Sequence, residues 1–316
     1  MSGMRWQGLV TVLGVTAALV VGTCVRGATP PDAKYLGSKL CTACHKGTDA
    51  EMVEGWVASD HSRAMWKIGE ADDSHQVVAD FAKNAPFTRD RAVYVLGGRR
   101  EQAFLDADLK VLPGRWVVKD KTWAPQEAVD AKCDCLGCHT TGYDAETGTW
   151  KELGVGCEMC HGPGSAHAGS GDEKATIMDV AQLDAAHQAM VCGRCHSRGK
   201  SKDGKYAFAA GFRPGDDLDQ SFTLTADVPK GAMNAEYNEL RLGGGKHLAS
   251  GAVCTTCHDP HGAQPRQLRE AGNQLCLKCH AGKLTGAQHS EGALRALTCT
   301  KCHMPGGKHV FAPPPK

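Results

Sequence analysis

The sequence predicts a mainly α-helical and irregular fold with one small antiparallel β segment around residues 90–125. Its core is expected to need more than side chains. Three observations carry this expectation. The pattern CxxCH recurs seven times along the chain. Aromatic residues make up only 6% of 316 residues, against 16 cysteines and 15 histidines. The one β-rich stretch falls in the long gap between the first and second copies of the pattern.

The chain opens with an export signal, expected over residues 1–27. Arg5 supplies the positive start, and residues 9–21 form an apolar run of 13 residues. That length suits a secretory signal better than a membrane span. Cleavage is expected near Val25-Arg26-Gly27. Lipidation at Cys24 is the other reading, and Thr23 before it fits a lipobox poorly. No later segment is apolar enough to cross a bilayer, so the mature protein is expected in the periplasm or outside the cell, with peripheral or no membrane association. Lys plus Arg (36) nearly equals Asp plus Glu (35), a balance that offers no strong field for nucleic acid.

An exported, cysteine-rich chain usually carries disulfides, but the spacing argues against them. The seven motifs are CTACH (41–45), CLGCH (135–139), CEMCH (157–161), CGRCH (192–196), CTTCH (254–258), CLKCH (276–280) and CTKCH (299–303). At this composition chance would supply about 0.04 matches. Two thiols two residues apart can add to the two vinyl groups of one haem, and the histidine that follows then faces the iron. Zinc gives no reason for a histidine after every second cysteine. Covalent haem c at each motif follows. The attachment residues are Cys41 and Cys44, Cys135 and Cys138, Cys157 and Cys160, Cys192 and Cys195, Cys254 and Cys257, Cys276 and Cys279, and Cys299 and Cys302. The proximal ligands are His45, His139, His161, His196, His258, His280 and His303. Cys133, in CDCLGCH, is left over; it reads as a spare thiol or as an alternative attachment register.

About 41 residues per haem are too few to wrap each haem separately, so the haems are expected to pack together as the core. Eight further histidines could supply second axial ligands. His61, His167, His187, His247, His261, His289 and His309 are the candidates, and His75, in the polar run EADDSH, reads as a surface residue. In CHGPGSAH, Gly162-Pro163-Gly164 turns the chain sharply enough to send His167 to a neighbouring haem. At least one histidine is surplus.

Between the first two motifs, RAVYVLGGRREQAFLDADLKVLPGRWVVKDKTW reads as short strands divided by Gly-Gly and Pro-Gly turns. Helices are expected at 48–66, 178–196 and 264–281. The polar, Gly- and Pro-punctuated residues 201–243 read as a connector between a tetrahaem part (34–200) and a trihaem part (244–316).

YLGSKLCTACH, the following Trp56-x-x-Ser59-x-His61, CLGCHTTGY, GVGCEMCHGPGSAH and VCGRCHSRG together resemble the cytochrome c-554 family of tetrahaem electron carriers. GGKHLASGAVCTTCHDPHG followed by QLCLKCH resembles the paired-CxxCH haem modules of larger chains. The resemblance implies a mainly α and irregular multihaem cytochrome c fold with a haem-packed core. It also implies electron transfer with redox partner proteins, quinol-linked donors or other cytochromes, with self-association a further option. Seven motifs exceed the four of the smaller family, so its partner and pathway do not transfer. Two other readings stand beside the carrier: an oxidoreductase acting on a small nitrogen or sulfur oxyanion at a five-coordinate haem, and a subunit of an extracellular cytochrome filament. All seven motifs end in histidine, which weighs against the enzyme.

Overall fold

Short elements follow from a chain in which Gly and Pro interrupt every apolar run. The structure, a computed structural model, describes residues 29–70, 76–170, 176–228, 232–242, 246–284, 289–290, 292 and 297–311. The export signal, Cys24 and His75 lie outside the described residues. No helix among the described residues is long and apolar enough to cross a membrane.

Helix α1 (Ser38–Thr48) carries the first motif and α2 (Ala50–Val57) follows at once. α1 starts after Gly37, whose φ of 89° suits glycine. The helix expected over 48–66 stops at Val57, and the chain then turns through Ser59, buried at the bend, to His61.

Five strands form one antiparallel sheet in sequence order: β1 (Met65–Lys67), β2 (Tyr94–Leu96), β3 (Glu101–Leu105), β4 (Val111–Val117) and β5 (Thr122–Ala124). Successive strand residues point to opposite faces. Met65, Leu96, Leu105 and Val111 pack with Ala131 and Leu136 on one side. Trp66, Val95, Phe104 and Leu112 pack with Phe87 and Ala92 on the other, against Phe81 and Trp123. Both faces are therefore covered, which is why the strands read as apolar runs rather than clean alternation. Buried Gln102 fastens the chain over the second face: its side-chain carbonyl accepts from the amides of Val78 and Ala79, and its amide donates to the carbonyl of Gln76.

The first face meets α3 (Ala131–Asp134) and the second motif, which begins at the break at Cys135 and continues through α4 (Leu136–His139). A two-stranded ribbon, β6 (Thr140–Thr141) with β7 (Glu152–Leu153), leads to α5 (Cys157–His161), the third motif, and α6 (Ser165–Ser170). The helix expected over 178–196 is α7 (Ala185–Gly193), because the Asp184 carboxylate caps it by accepting from the amides of Ala186 and His187.

Residues 201–243, read as a connector, carry apolar residues of their own. β8 (Gly199–Ser201) pairs with β9 (Phe222–Leu224), which follows α8 (Leu218–Ser221), and Ala209, Phe212, Leu218, Phe222 and Tyr237 bury against Ala189 of α7. Buried Asn238, on α9 (Glu236–Leu242), accepts from the Arg198 amide and donates to the carbonyls of Arg198 and Thr225. The fourth motif is thus bolted to this segment. Beyond it lie α10 (Lys246–Ala249), α11 (Cys254–Cys257), α12 (Gln274–His280) and the final helix Cys299–His303. The helix expected over 264–281 is shortened to α12, since Pro265 opens a kinked turn in which Arg266 and Gln267 take positive φ.

Candidate haem-binding centres

The site is a set of imidazole pairs. Six of the seven motif histidines face a second histidine with ring centroids about one metal atom apart. His45 faces His167 at 6.3 Å, with the rings 22° from parallel. His196 faces His61 at 6.3 Å, and His161 faces His261 at 6.1 Å and 8°. His280 faces His247 at 6.0 Å, His258 faces His309 at 6.1 Å, and His303 faces His289 at 6.1 Å. Two metal–nitrogen bonds of about 2 Å each, plus the rings, fill this separation. Direct stacking of two imidazoles would be closer. Among the described residues no three His, Cys, Asp or Glu side chains converge on a metal centre of their own. The donor set therefore fits an iron held between two imidazoles in a porphyrin and does not fit zinc.

The rings are held through their second nitrogen, which leaves the other for a metal. Nδ1 of His139 donates to the Ala64 carbonyl at 2.7 Å, that of His161 to Met178 at 2.8 Å, and that of His258 to Arg266 at 2.9 Å. His196 instead bonds Glu236 at 3.2 Å. Burial pulls His196 down, but the bond to the carboxylate outweighs it and the net direction is upward. Burial is the largest effect at His61, taken down to about 4 although the Pro260 carbonyl pulls the other way, and it holds His139, His247, His261 and His309 below the ordinary value. Those five rings are neutral at pH 7, the form with a lone pair to give.

His139 has no opposing imidazole among the described residues. His187, expected as a distal ligand, is not brought to any motif histidine. Its Nδ1 lies 2.7 Å from the Asp184 carboxylate, so the N-cap ties the ring to the first turn of α7. His167 is brought to the first motif rather than to its own third motif. His261, which follows the fifth motif, reaches the third, and His61 reaches the fourth. The pair of His161 and His261 therefore crosses the boundary expected near residue 243.

The cysteines show how the motifs adjoin. Cys41 lies within hydrogen-bonding reach of Cys157, Cys138 of Cys195, Cys192 of Cys254, and Cys276 of Cys299. Cys160 and Cys195 feel each other's charge, as do Cys257 and Cys276. No disulfide joins any of the 15 described cysteines, Cys133 included. The motifs thus adjoin in the order first, third, fourth, fifth, sixth and seventh, with the second set beside the fourth.

Comparison with known proteins finds two family matches and several relatives. The family "Cytochrome c554 and c-prime" matches residues 113–162, and the doubled CXXCH motif family matches residues 246–285. The chain is a multihaem c-type cytochrome. Cytochrome c-554 of Nitrosomonas europaea is 25% identical over 232 residues, covering 67% of this chain and 79% of that protein. The dissimilatory sulfite reductase MccA of Wolinella succinogenes is 27% identical over 196 residues, covering 54% of this cytochrome but only 24% of the reductase. The crystal structure of the outer cell wall cytochrome OcwA shares the fold with a TM-score of 0.67 at 21% identity, over 88% of this chain and 79% of that one. The cytochrome's helical and irregular architecture with small antiparallel sheets is the fold of that class.

Sequence reasoning missed the groups that hold the histidines. The carbonyls of Ala64, Met178 and Arg266 carry no side-chain signal. Glu236 and Glu158 do. Glu158 is a carboxylate inside a CxxCH motif that is 1% exposed.

Proposed function

We propose that this cytochrome is an exported heptahaem electron carrier, working in the periplasm or outside the cell between redox partner proteins such as quinol-linked donors or other cytochromes. The single observation that carries this is the set of six imidazole pairs on motifs whose cysteines adjoin in one continuous series. Haem, when bound, supplies a one-electron iron couple at each motif. The chain's own residues hold two imidazoles on each of six sites, which leaves no vacancy there for a substrate. They also bring attachment cysteines of different motifs together, Cys41 to Cys157, Cys138 to Cys195, Cys192 to Cys254 and Cys276 to Cys299. Glu236 beside His196 places a carboxylate at the junction of the fourth and fifth motifs, where it favours the oxidised, more positive state.

His139 favours a second reading. Among the described residues no imidazole faces it, and in an oxidoreductase of this kind the second motif is where a small nitrogen or sulfur oxyanion would bind. It stands beside the fourth motif, which would link it to the series. Protein-film voltammetry on the full holoprotein separates the two. A carrier gives reversible waves that nitrite, hydroxylamine and sulfite leave unchanged. A sustained catalytic current with any of them overturns the carrier reading.

A further inference from the structure

We propose that Glu158, a residue of the third motif, is the positioning residue for both axial histidines of the first. The inference rests on reading His45 and His167 as one ligand pair, and it explains how their rings come to face each other.

The two histidines ride on separate helices, α1 and α6, and neither ring is well anchored by itself. Nδ1 of His167 is buried with no hydrogen-bond partner. Nδ1 of His45 reaches only the exposed Asp49 carboxylate, at 3.4 Å. The orientation must then come from the backbone that starts each helix. Both starts converge on one carboxylate. Oε2 of Glu158 accepts from the Gly37 amide at 2.7 Å and from the Leu36 amide at 2.9 Å, immediately before α1. Oε1 accepts from the Leu36 amide at 2.8 Å and from the Gly164 amide at 2.7 Å, immediately before α6. The first amides of a helix lack partners within it, so a carboxylate there fixes where the helix begins.

Neighbouring bonds support the clamp. Lys34 and Ser165 join the same two segments, through the Lys34 amide on the Ser165 hydroxyl at 2.8 Å and the Ser165 amide on the Lys34 carbonyl at 3.2 Å. Glu152 accepts from the Ser38 amide and hydroxyl, and the Cys157 amide donates to that hydroxyl. Among the described residues Glu158 is the carboxylate that accepts from backbone amides at the entry to both histidine-bearing helices. The Gly-Pro-Gly turn after the third motif therefore works with Glu158: the turn brings the chain round, and the carboxylate sets where it stops.

In Glu158→Gln one acceptor oxygen becomes an NH2 group that points a donor at donors, so one of the two segments is released. The holoprotein of this variant should keep its full haem mass, yet show by EPR one low-spin signal changed or replaced by a high-spin one, with one additional CO bound per molecule on reduction. His167→Gly should alter that same signal. If His167→Gly changes nothing, the pairing of His45 with His167 fails. If His167→Gly changes a signal that Glu158→Gln leaves intact, the positioning role of Glu158 fails. Hydrogen exchange on the wild-type holoprotein tests the clamp without any variant. The amides of Leu36, Gly37 and Gly164 should exchange about 100-fold or more slowly than free-chain rates, and exchange of Gly164 at the free-chain rate overturns the proposal.

Discussion

Taking one imidazole out of a pair should open one carbon monoxide site on this cytochrome. His196 faces His61 with ring centroids 6.3 Å apart, and burial keeps the His61 ring in its neutral, metal-binding form. Replacing His61 by glycine removes that ring, so the dithionite-reduced holoprotein should take up about one equivalent of CO per molecule more than the wild type. Added imidazole should return uptake to the wild-type value. EPR of the oxidised variant should show one low-spin signal replaced by a high-spin one. Replacing His187, whose ring is tied to Asp184, should leave uptake unchanged. The reasoning is refuted if His61→Gly takes up no more CO than the wild type, because the facing imidazoles would then not be a ligand pair.

Two further outcomes follow from packing and charge. An ideal Cβ on Gly137, in the second motif, would lie 2.1 Å from the Phe208 ring, so Gly137→Ala should cost about 1–3 kcal/mol by overpacking. Gly137→Ala combined with Phe208→Leu should recover part of that loss in urea denaturation of the holoprotein, and a single variant that unfolds at the wild-type urea concentration would contradict the contact. Arg194 donates to the Met159 carbonyl at 3.2 Å, lies over the Phe212 ring, and acts on the thiols of Cys138, Cys160 and Cys195. A unit charge near an iron in such a half-buried place is worth on the order of 1–2 kcal/mol, or roughly 40–80 mV for a one-electron couple. Arg194→Leu should lower one or more haem potentials by that amount in a spectroelectrochemical titration, and an unmoved titration would show that solvent screens the guanidinium.

The sheet was legible in outline. Strands between 94 and 124 announce themselves through apolar runs and Gly-Gly and Pro-Gly turns, whereas β1 is three residues whose pairing depends on Leu96 and Val95 far along the chain. The helices were legible in position but not in length. Asp184 makes one helix start late because its side chain serves as the N-cap, and Pro265 delays another because the backbone after it turns to positive φ. The segment 201–243 looked polar in sequence, yet its scattered aromatics at 208, 212, 222 and 237 meet only when the chain folds on α7.

By itself the sequence determined the attachment chemistry, because a CxxCH motif is complete within five residues: its two thiols and its histidine meet one haem whatever surrounds them. It also determined that imidazoles to complete the sites were in adequate supply. Only the tertiary structure decided which imidazole faces which motif. His45 and His167, His61 and His196, and His161 and His261 are brought together across long stretches of chain. Their pairing rests on backbone carbonyls, on a buried carboxylate and on the starts of short helices. None of these leaves a local pattern, since a hydrogen bond between distant segments depends on where the backbone passes and not on which residues stand next to it.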